Sequence, residues 1–276
     1  MHNIRIGFIG GGNMARSLIG GLVANGHAAS AIWVSEPNEE QRGRLAAAFS
    51  IHTTSDNLAL ARSVDILVLA VKPQVLGAVA RELAPTVQEC RPLVVSIAAG
   101  IRMEALTRWL GPETALVRTM PNTPALVQCG ATALCGNGKV SPAQREMAEA
   151  VMRAVGLTLW LDDEGQMDAV TAVSGSGPAY FFLVMEAMEA AGQSLGLSPE
   201  AARLLTLQTA FGSAKMALES PDDAATLRRR VTSPGGTTEQ AIRVMEEGQL
   251  RELFRQALEA ACRRSDELAR QLGAQG

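Results

Sequence analysis

The chain predicts a doubly wound α/β domain followed by an all-helical one. Three observations carry this expectation. Up to about residue 165, short apolar runs alternate with helix-like segments. The first run ends in Gly10-Gly11-Gly12 and leads directly into a helical pattern. From Gln166 onward no convincing strand is found, and the segments are long and rich in Ala, Leu and Met. The change of character falls at 160–166, so the domains are expected at 1–164 and 165–276.

Residues 4–9 (IRIGFI) read as a strand and 13–25 as the helix it feeds, with Leu18, Leu22 and Val23 on one face. Residues 31–35 form a second strand and 39–49 a charged, alanine-rich helix. The run 66–71 (ILVLAV) is apolar on both faces, as in a parallel sheet covered on both sides. A helix at 75–83, a strand at 93–97, a helix at 102–109 and a strand at 115–120 follow. Helices are then expected at 167–174, 178–195, 199–218, 223–230, 237–247 and 250–272. Ser198-Pro199 and Ser220-Pro221-Asp222 mark helix starts by cap residue and first-turn proline.

Composition narrows the function classes. The 276 residues are 47% apolar, enough for a sizeable core. The net charge of −3 is spread over both halves, which favours neither nucleic acid nor an anionic membrane surface. The apolar runs are strand-length, well short of the roughly 20 residues that cross a bilayer. No charged leader precedes the first strand, so a cytoplasmic location is expected. Cys90, Cys129, Cys135 and Cys262 form no CxxC pair and lie far in sequence from the histidines. Free buried thiols in a reducing compartment, and no metal site, are expected.

Gly10-x-Gly12-x-x-Ala15, between strand and helix, has the form of a dinucleotide fingerprint. Gly10 permits the tight turn, Gly12 lets a pyrophosphate approach the backbone, and Ala15 lets helix and sheet pack closely. The first-turn N–H groups and the helix dipole then face the phosphates. This makes the α/β domain a Rossmann domain and NADPH or NADH the expected cofactor. Glu36 ends the second strand, where an acid takes the ribose 2′-hydroxyl of NAD and repels the 2′-phosphate of NADP. Ser35, Asn38 and Arg42 stand close enough in sequence to bind that phosphate, and Glu36 could instead point to water, so the choice stays open. Ala70-Val71-Lys72-Pro73 and Ile97-Ala98-Ala99 end the next strands at the carboxyl edge where ligands sit. The small residues of the latter leave space for a nicotinamide ring.

Two segments of the helical half break local rules. Ser174-Gly175-Ser176-Gly177-Pro178 interrupts a helical stretch at a cost in helix stability, which calls for a kink, a tight contact or a ligand. Ser176 lacks a preceding strand and a following histidine, so it is not a hydrolase nucleophile. The run 232–238 (TSPGGTT) precedes a helix and offers free N–H groups at the positive end of a dipole, which suits a carboxylate. Taken singly, either segment is also explained by a helix cap with a flexible approach.

Taken with Phe8-Ile9-Gly10-x-Gly12-Asn13-Met14, Ala70-Val71-Lys72-Pro73-Gln74, Met120-Pro121-Asn122-Thr123-Pro124 and Asp168-Ala169-Val170-Thr171, these stretches resemble pyrroline-5-carboxylate reductases over nearly the whole chain. The resemblance implies reduction of 1-pyrroline-5-carboxylate to L-proline with NAD(P)H, the last step of proline biosynthesis. It implies a Rossmann domain followed by an all-α dimerisation domain, and homodimers that often assemble further, commonly into decamers. Ile9, Gly10, Gly11, Gly12, Asn13, Met14, Asn57, Ala70, Val71, Lys72, Pro73, Ile97, Ala98 and Ala99 match its cofactor segments, beside Ser35 and Glu36. Glu164, Ser174, Gly175, Ser176, Gly177, Ser233, Gly236, Thr237 and Thr238 match its substrate region. One departure is Arg230, where an Asn that can touch cofactor often stands. The N–H groups of Gly236, Thr237 and Thr238 are then expected to hold the substrate carboxylate, and the Thr238 hydroxyl the ring nitrogen. A β-hydroxyacid dehydrogenase would carry a lysine soon after Gly177, but the next one is Lys215. A non-catalytic dinucleotide-binding protein is the alternative from another class.

Overall fold

Runs of aliphatic and β-branched residues form an eight-stranded sheet: β1 (Ile6–Ile9), β2 (Ile32–Ser35), β3 (His52–Thr54), β4 (Ile66–Leu69), β5 (Leu93–Ser96), β6 (Leu116–Met120), β7 (Gly130–Gly136) and β8 (Gly156–Trp160). The computed structural model describes residues 4–274. Strand order is β3-β2-β1-β4-β5-β6-β7-β8. The first six strands are parallel and wind outward in both directions from β1, the order of a dinucleotide-binding sheet. Connecting them are α1 (Asn13–Ala24), α2 (Glu39–Phe49), α3 (Asn57–Ser63), α4 (Pro73–Cys90) and α5 (Met103–Leu110). β1, β4 and β5 are buried along their whole length, and two apolar clusters line the two faces of the sheet.

The expected parallel, doubly wound sheet is present from β3 to β6, and the pairing changes at its far edge. β7 runs antiparallel to β6, and β8 parallel to β7. The link from β6 to β7 holds only a 3-10 turn, Thr123–Val127, too short for the crossover that parallel pairing requires. The link from β7 to β8 contains α6 (Pro142–Arg153), opened by a Ser141/Gln144 capping box, and there the pairing is parallel again. β3, β7, β8, α3 and α6 escape the sequence reading. β3 is three residues long, and β8 alternates exposed with half-buried residues, so neither presents a continuous apolar run.

After β8 every described element is helical: α7 (Met167–Val170), a π-helical turn (Thr171–Gly175), α8 (Gly177–Ser194), α9 (Pro199–Glu219), α10 (Ala224–Arg230), α11 (Thr237–Glu247) and α12 (Leu250–Ala274). Ser198 and Asp223 cap α9 and α10 through their side chains. The chain divides into two compact units. One runs to Ser176 and resumes at Ala261; the other is Gly177–Ala260. The division therefore falls after Ser176, later than the 164/165 boundary expected from composition. The physical reason is Met167, fully buried on the sheet unit beside Ala133 and Cys135, which ties α7 to that unit. Only Cys135 of the four free cysteines is buried; Cys90 and Cys129 are exposed and Cys262 is intermediate. Burial pushes the Cys135 thiol above its ordinary pKa.

Candidate active site

Register brings the expected cofactor segments to one edge of the first unit. Ile9 pairs level with Ser35 and Leu69, and Leu69 with Ser96, so four parallel strands end together. Gly10–Gly12, Glu36, Ala70–Pro73 and Ile97–Ala99 all follow directly from those ends. Gly10 has φ +97°, and a Cβ there would lie 2.8 Å from the Ala70 carbonyl oxygen. Only glycine fits this turn. Gly12 N-caps α1 with no side-chain cap and open space where a Cβ would stand. An uncapped helix start behind a glycine turn fits a pyrophosphate, so the residues present suit a dinucleotide. Asn13 is exposed and Met14 half-buried on the first turn of α1. Ile9 is 1% exposed, so it contributes position and not a ligand-facing side chain.

Around this turn the polar groups are already partnered. Glu36 Oε2 accepts from Gly11 N at 3.0 Å and Oε1 from Asn38 N at 3.1 Å. Gln41 Nε2 donates to the Gly11 carbonyl at 2.6 Å. The Ser35 hydroxyl donates to Asn57 Oδ1 at 2.7 Å, so these two expected site residues hold each other and join the ends of β2 and α3. Lys72 is exposed at the start of α4, with Pro73 at its first position.

Past the end of β5, Ala98 is buried and Ala99 exposed. The loop 97–101 is held from three directions. Gly100, at φ +73°, packs against Leu272 of α12, which a Cβ would approach to 3.2 Å. α5 has no cap of its own; its first N–H, Met103 N, donates to Glu164 Oε1 at 2.7 Å. The same oxygen accepts from Arg118 Nη1 at 2.6 Å, and the Arg118 side chain is 5% exposed. Arg102 pairs with Asp266 of α12 and lies 3.5 Å from Asp168, which also accepts from the Ser265 hydroxyl at 2.6 Å. Glu164, expected beside substrate, thus spends one oxygen on bracing α5. Arg118, Arg102, Asp168, Ser265 and Asp266 were not anticipated as a group. The one signal in sequence is an arginine in the middle of the apolar strand Leu116–Met120.

The Ser174–Gly177 break begins inside the π-helical turn Thr171–Gly175, which is closed by Ser176 N to Thr171 O at 2.8 Å. Such turns often mark functional positions. It packs on the end of β6: a Cβ on Gly175 would come 2.6 Å from Met120 Cε, and Asn122 Nδ2 donates to the Ser174 carbonyl at 3.1 Å. Of the three outcomes expected for this break, a tight contact is therefore present. Gly177 is buried as it opens α8.

In the second unit, Ser233, Thr237 and Thr238 are exposed. Gly235 takes φ +73° and its N–H donates to Glu239 Oε2 at 2.8 Å. Gly236 N-caps α11 without a side-chain cap. The expected trio of donors needs one change: Gly236 N already donates to the Ser233 carbonyl at 3.0 Å. That leaves Thr237 and Thr238 as first-turn N–H donors of the expected set. Arg230 ends α10 and pairs with Asp222.

Comparison with known proteins accounts for both units. A family model described as pyrroline-5-carboxylate reductase dimerisation matches residues 164–268. One described as NADP oxidoreductase coenzyme F420-dependent matches residues 5–100. The pyrroline-5-carboxylate reductase of Pseudomonas aeruginosa is 55% identical over 273 residues, covering 99% of this chain and all of that protein. The Escherichia coli enzyme is 37% identical, covering 96% and 98%. Among solved structures, the Coxiella burnetii reductase superposes with a TM-score of 0.94 at 48% identity, covering 96% of this chain and 98% of the other. The Plasmodium falciparum reductase, solved with NADP bound, gives 0.85 at 32% identity, covering 98% and 99%. With a level dinucleotide edge in one unit and a family-specific helical half in the other, this chain belongs to the pyrroline-5-carboxylate reductase family.

Proposed function

We propose that the two units divide one reaction between them: the strand-edge crevice holds NADH or NADPH, and the start of α11 holds the acid group of 1-pyrroline-5-carboxylate. The observation that carries this reading is a pair of uncapped helix starts behind glycine turns, at Gly12 and Gly236. Each presents open N–H groups to an anion. Gly10–Met14, Ala70–Pro73 and Ile97–Ala99 would hold the dinucleotide, which supplies a hydride when bound. The substrate is a cyclic imine, a strong electrophile once protonated. Hydride adds to its carbon and the proton stays on nitrogen, giving L-proline and NAD(P)+. The chain's task is then alignment more than acid–base chemistry, and alignment contributes roughly 7–11 kcal/mol in ideal cases. Thr237 and Thr238 N–H would grip the carboxylate, and the Thr238 hydroxyl would hydrogen-bond the ring nitrogen. Ser174–Gly177 and Ser233 are assigned to substrate by their match to the family's substrate region, and Glu164 would act through α5.

On this reading the functional division remains 1–164 and 165–276, because the dimerisation family model begins at 164. The helical half is assigned to a homodimer, with decamers as the higher assembly, and the chain to the cytoplasm. In support, no described helix is long and apolar enough to cross a membrane, and all four thiols are free. The test is the oxidation of NADH or NADPH followed at 1-pyrroline-5-carboxylate saturation, with proline identified as product. Cofactor binding without turnover would leave a non-catalytic dinucleotide protein and overturn the proposal.

A further inference from the structure

The end of β2 lies level with the glycine turn, where the second strand of a dinucleotide-binding sheet meets the adenosine ribose. In sequence, three groups compete with Glu36 for the adenosine ribose: Ser35, Asn38 and Arg42. Each has one polar atom engaged within the fold. The Ser35 hydroxyl, on a residue 1% exposed, donates to Asn57 Oδ1. Asn38 Oδ1 caps α2 by accepting from Gln41 N at 2.9 Å. Arg42 Nη1 is turned to the main chain, donating to the Glu36 and Pro37 carbonyls at 2.7 and 2.9 Å. Glu36 alone is fixed with its carboxylate at the glycine turn. Its two oxygens accept from Gly11 N and Asn38 N, and a Cβ on Gly11 would lie 3.5 Å from Oε2.

A carboxylate pinned by two backbone N–H groups keeps further lone pairs for a vicinal diol. The same carboxylate opposes a 2′-phosphate, which carries about −1.5 to −2 charge at neutral pH. The nearby start of α2 adds Glu39 and Glu40, and Glu40 pairs with Arg44. No side-chain cation is directed at the Glu36 carboxylate in the described hydrogen bonds and ion pairs.

We propose that Glu36 makes this chain select NADH over NADPH, by accepting the ribose hydroxyls and repelling the 2′-phosphate; this rests on the reading that the first unit binds a nicotinamide dinucleotide. The discrimination is a difference of affinities set by one repulsive group. Direct binding tests it without turnover. Full-length protein is titrated with NADH and with NADPH, read by the fluorescence of the reduced nicotinamide, alongside steady-state kinetics with each. NADH is expected to bind about tenfold or more tightly than NADPH. Glu36→Gln keeps an acceptor for Gly11 N but removes the charge, and should narrow that ratio at least about tenfold, mostly through tighter NADPH binding. Arg42→Ala should leave the ratio within about twofold. Equal or preferential NADPH binding by the unmodified chain overturns the selectivity alone. So does an unmoved ratio in Glu36→Gln, or a specific loss of NADPH affinity in Arg42→Ala. Failure to bind either dinucleotide overturns the parent reading as well.

Discussion

Ile66 to Leu69 of β4 are fully buried, whereas Phe181, Phe182 and Leu183 of α8 are 63–67% exposed. Both stretches are equally apolar. The sheet unit covers its strands with its own helices, and the C-terminal part of α12 returns to it, burying Ala269 and Ser265. The helical unit buries little of itself: Ala202 and Thr206 of α9 are covered, while Leu204, Leu205, Phe211 and Leu218 of the same helix are 57–83% exposed. A helix apolar on several faces belongs in an interior. An apolar surface of this extent marks an association surface, and the match to a dimerisation family model covers this unit. The difference teaches that one unit closes its own apolar core, whereas the other carries an apolar surface of the kind that oligomers cover.

The comparison is broken most sharply at α8. Phe182→Asp places a charge in the apolar face, and a two-fold interface contains it twice. At about 2 kcal/mol per copy the dissociation constant should rise roughly a thousandfold. Sedimentation across a concentration series should show a shift to a smaller species, with a lower melting temperature at equal protein concentration. An unchanged assembly would mean that this face is not where copies meet.

Thr238→Ala asks whether the exposed start of α11 is functional or merely the end of a helix. The expected outcome is a loss of 10- to 1000-fold in kcat/KM, the range for a lost transition-state hydrogen bond, at unchanged dinucleotide affinity. Unaltered kinetics would remove the hydroxyl from the reaction. Glu164→Gln probes the other unit in a milder way. Its amide oxygen still accepts from Met103 N, but Arg118 loses its counter-charge, so about 1–3 kcal/mol of stability should be lost. The KM for the imine should move less than about threefold if Glu164 acts through α5, and tenfold or more if it touches substrate directly.

Local chemistry explains what could be read in advance. The Gly10–Gly12 turn, the strand ends and the helices from Met167 onward follow from nearby residues, and the structure has them where the sequence placed them. The Arg118–Glu164–Met103 tie and the clamp of Arg102 on Asp266 join residues remote in the chain, so no spacing announces them. The donor set at α11 differed by one because the Gly236–Ser233 turn is a matter of backbone angles, not residue type. β7 and β8 escaped because their pairing is decided by the connections around them, and β8 has only partial cover.

β8 is also where the two units are most alike, and it carries the smallest expected effect. Leu157 and Leu159 on this edge strand are 66% and 57% exposed. Its opposite face is held by a carboxylate: Glu149 of α6 accepts from Trp160 Nε1 at 3.1 Å and Thr158 Oγ1 at 3.3 Å, and pairs with Arg153. The Trp160 hydrogen bond, with help from Arg153, holds the Glu149 carboxyl below its ordinary pKa. A depressed carboxyl contributes stability above its unfolded value, near 4.3, and loses it as pH falls through the lower folded value. Glu149→Gln should therefore cost about 1 kcal/mol at neutral pH. The gap in melting temperature between the two proteins should shrink as pH drops below 4 and close once the folded carboxyl is protonated. A gap that persists unchanged into acid would show that shape, not charge, keeps β8 on α6, and the edge strand would then rank with the sheet core and not with the helical unit.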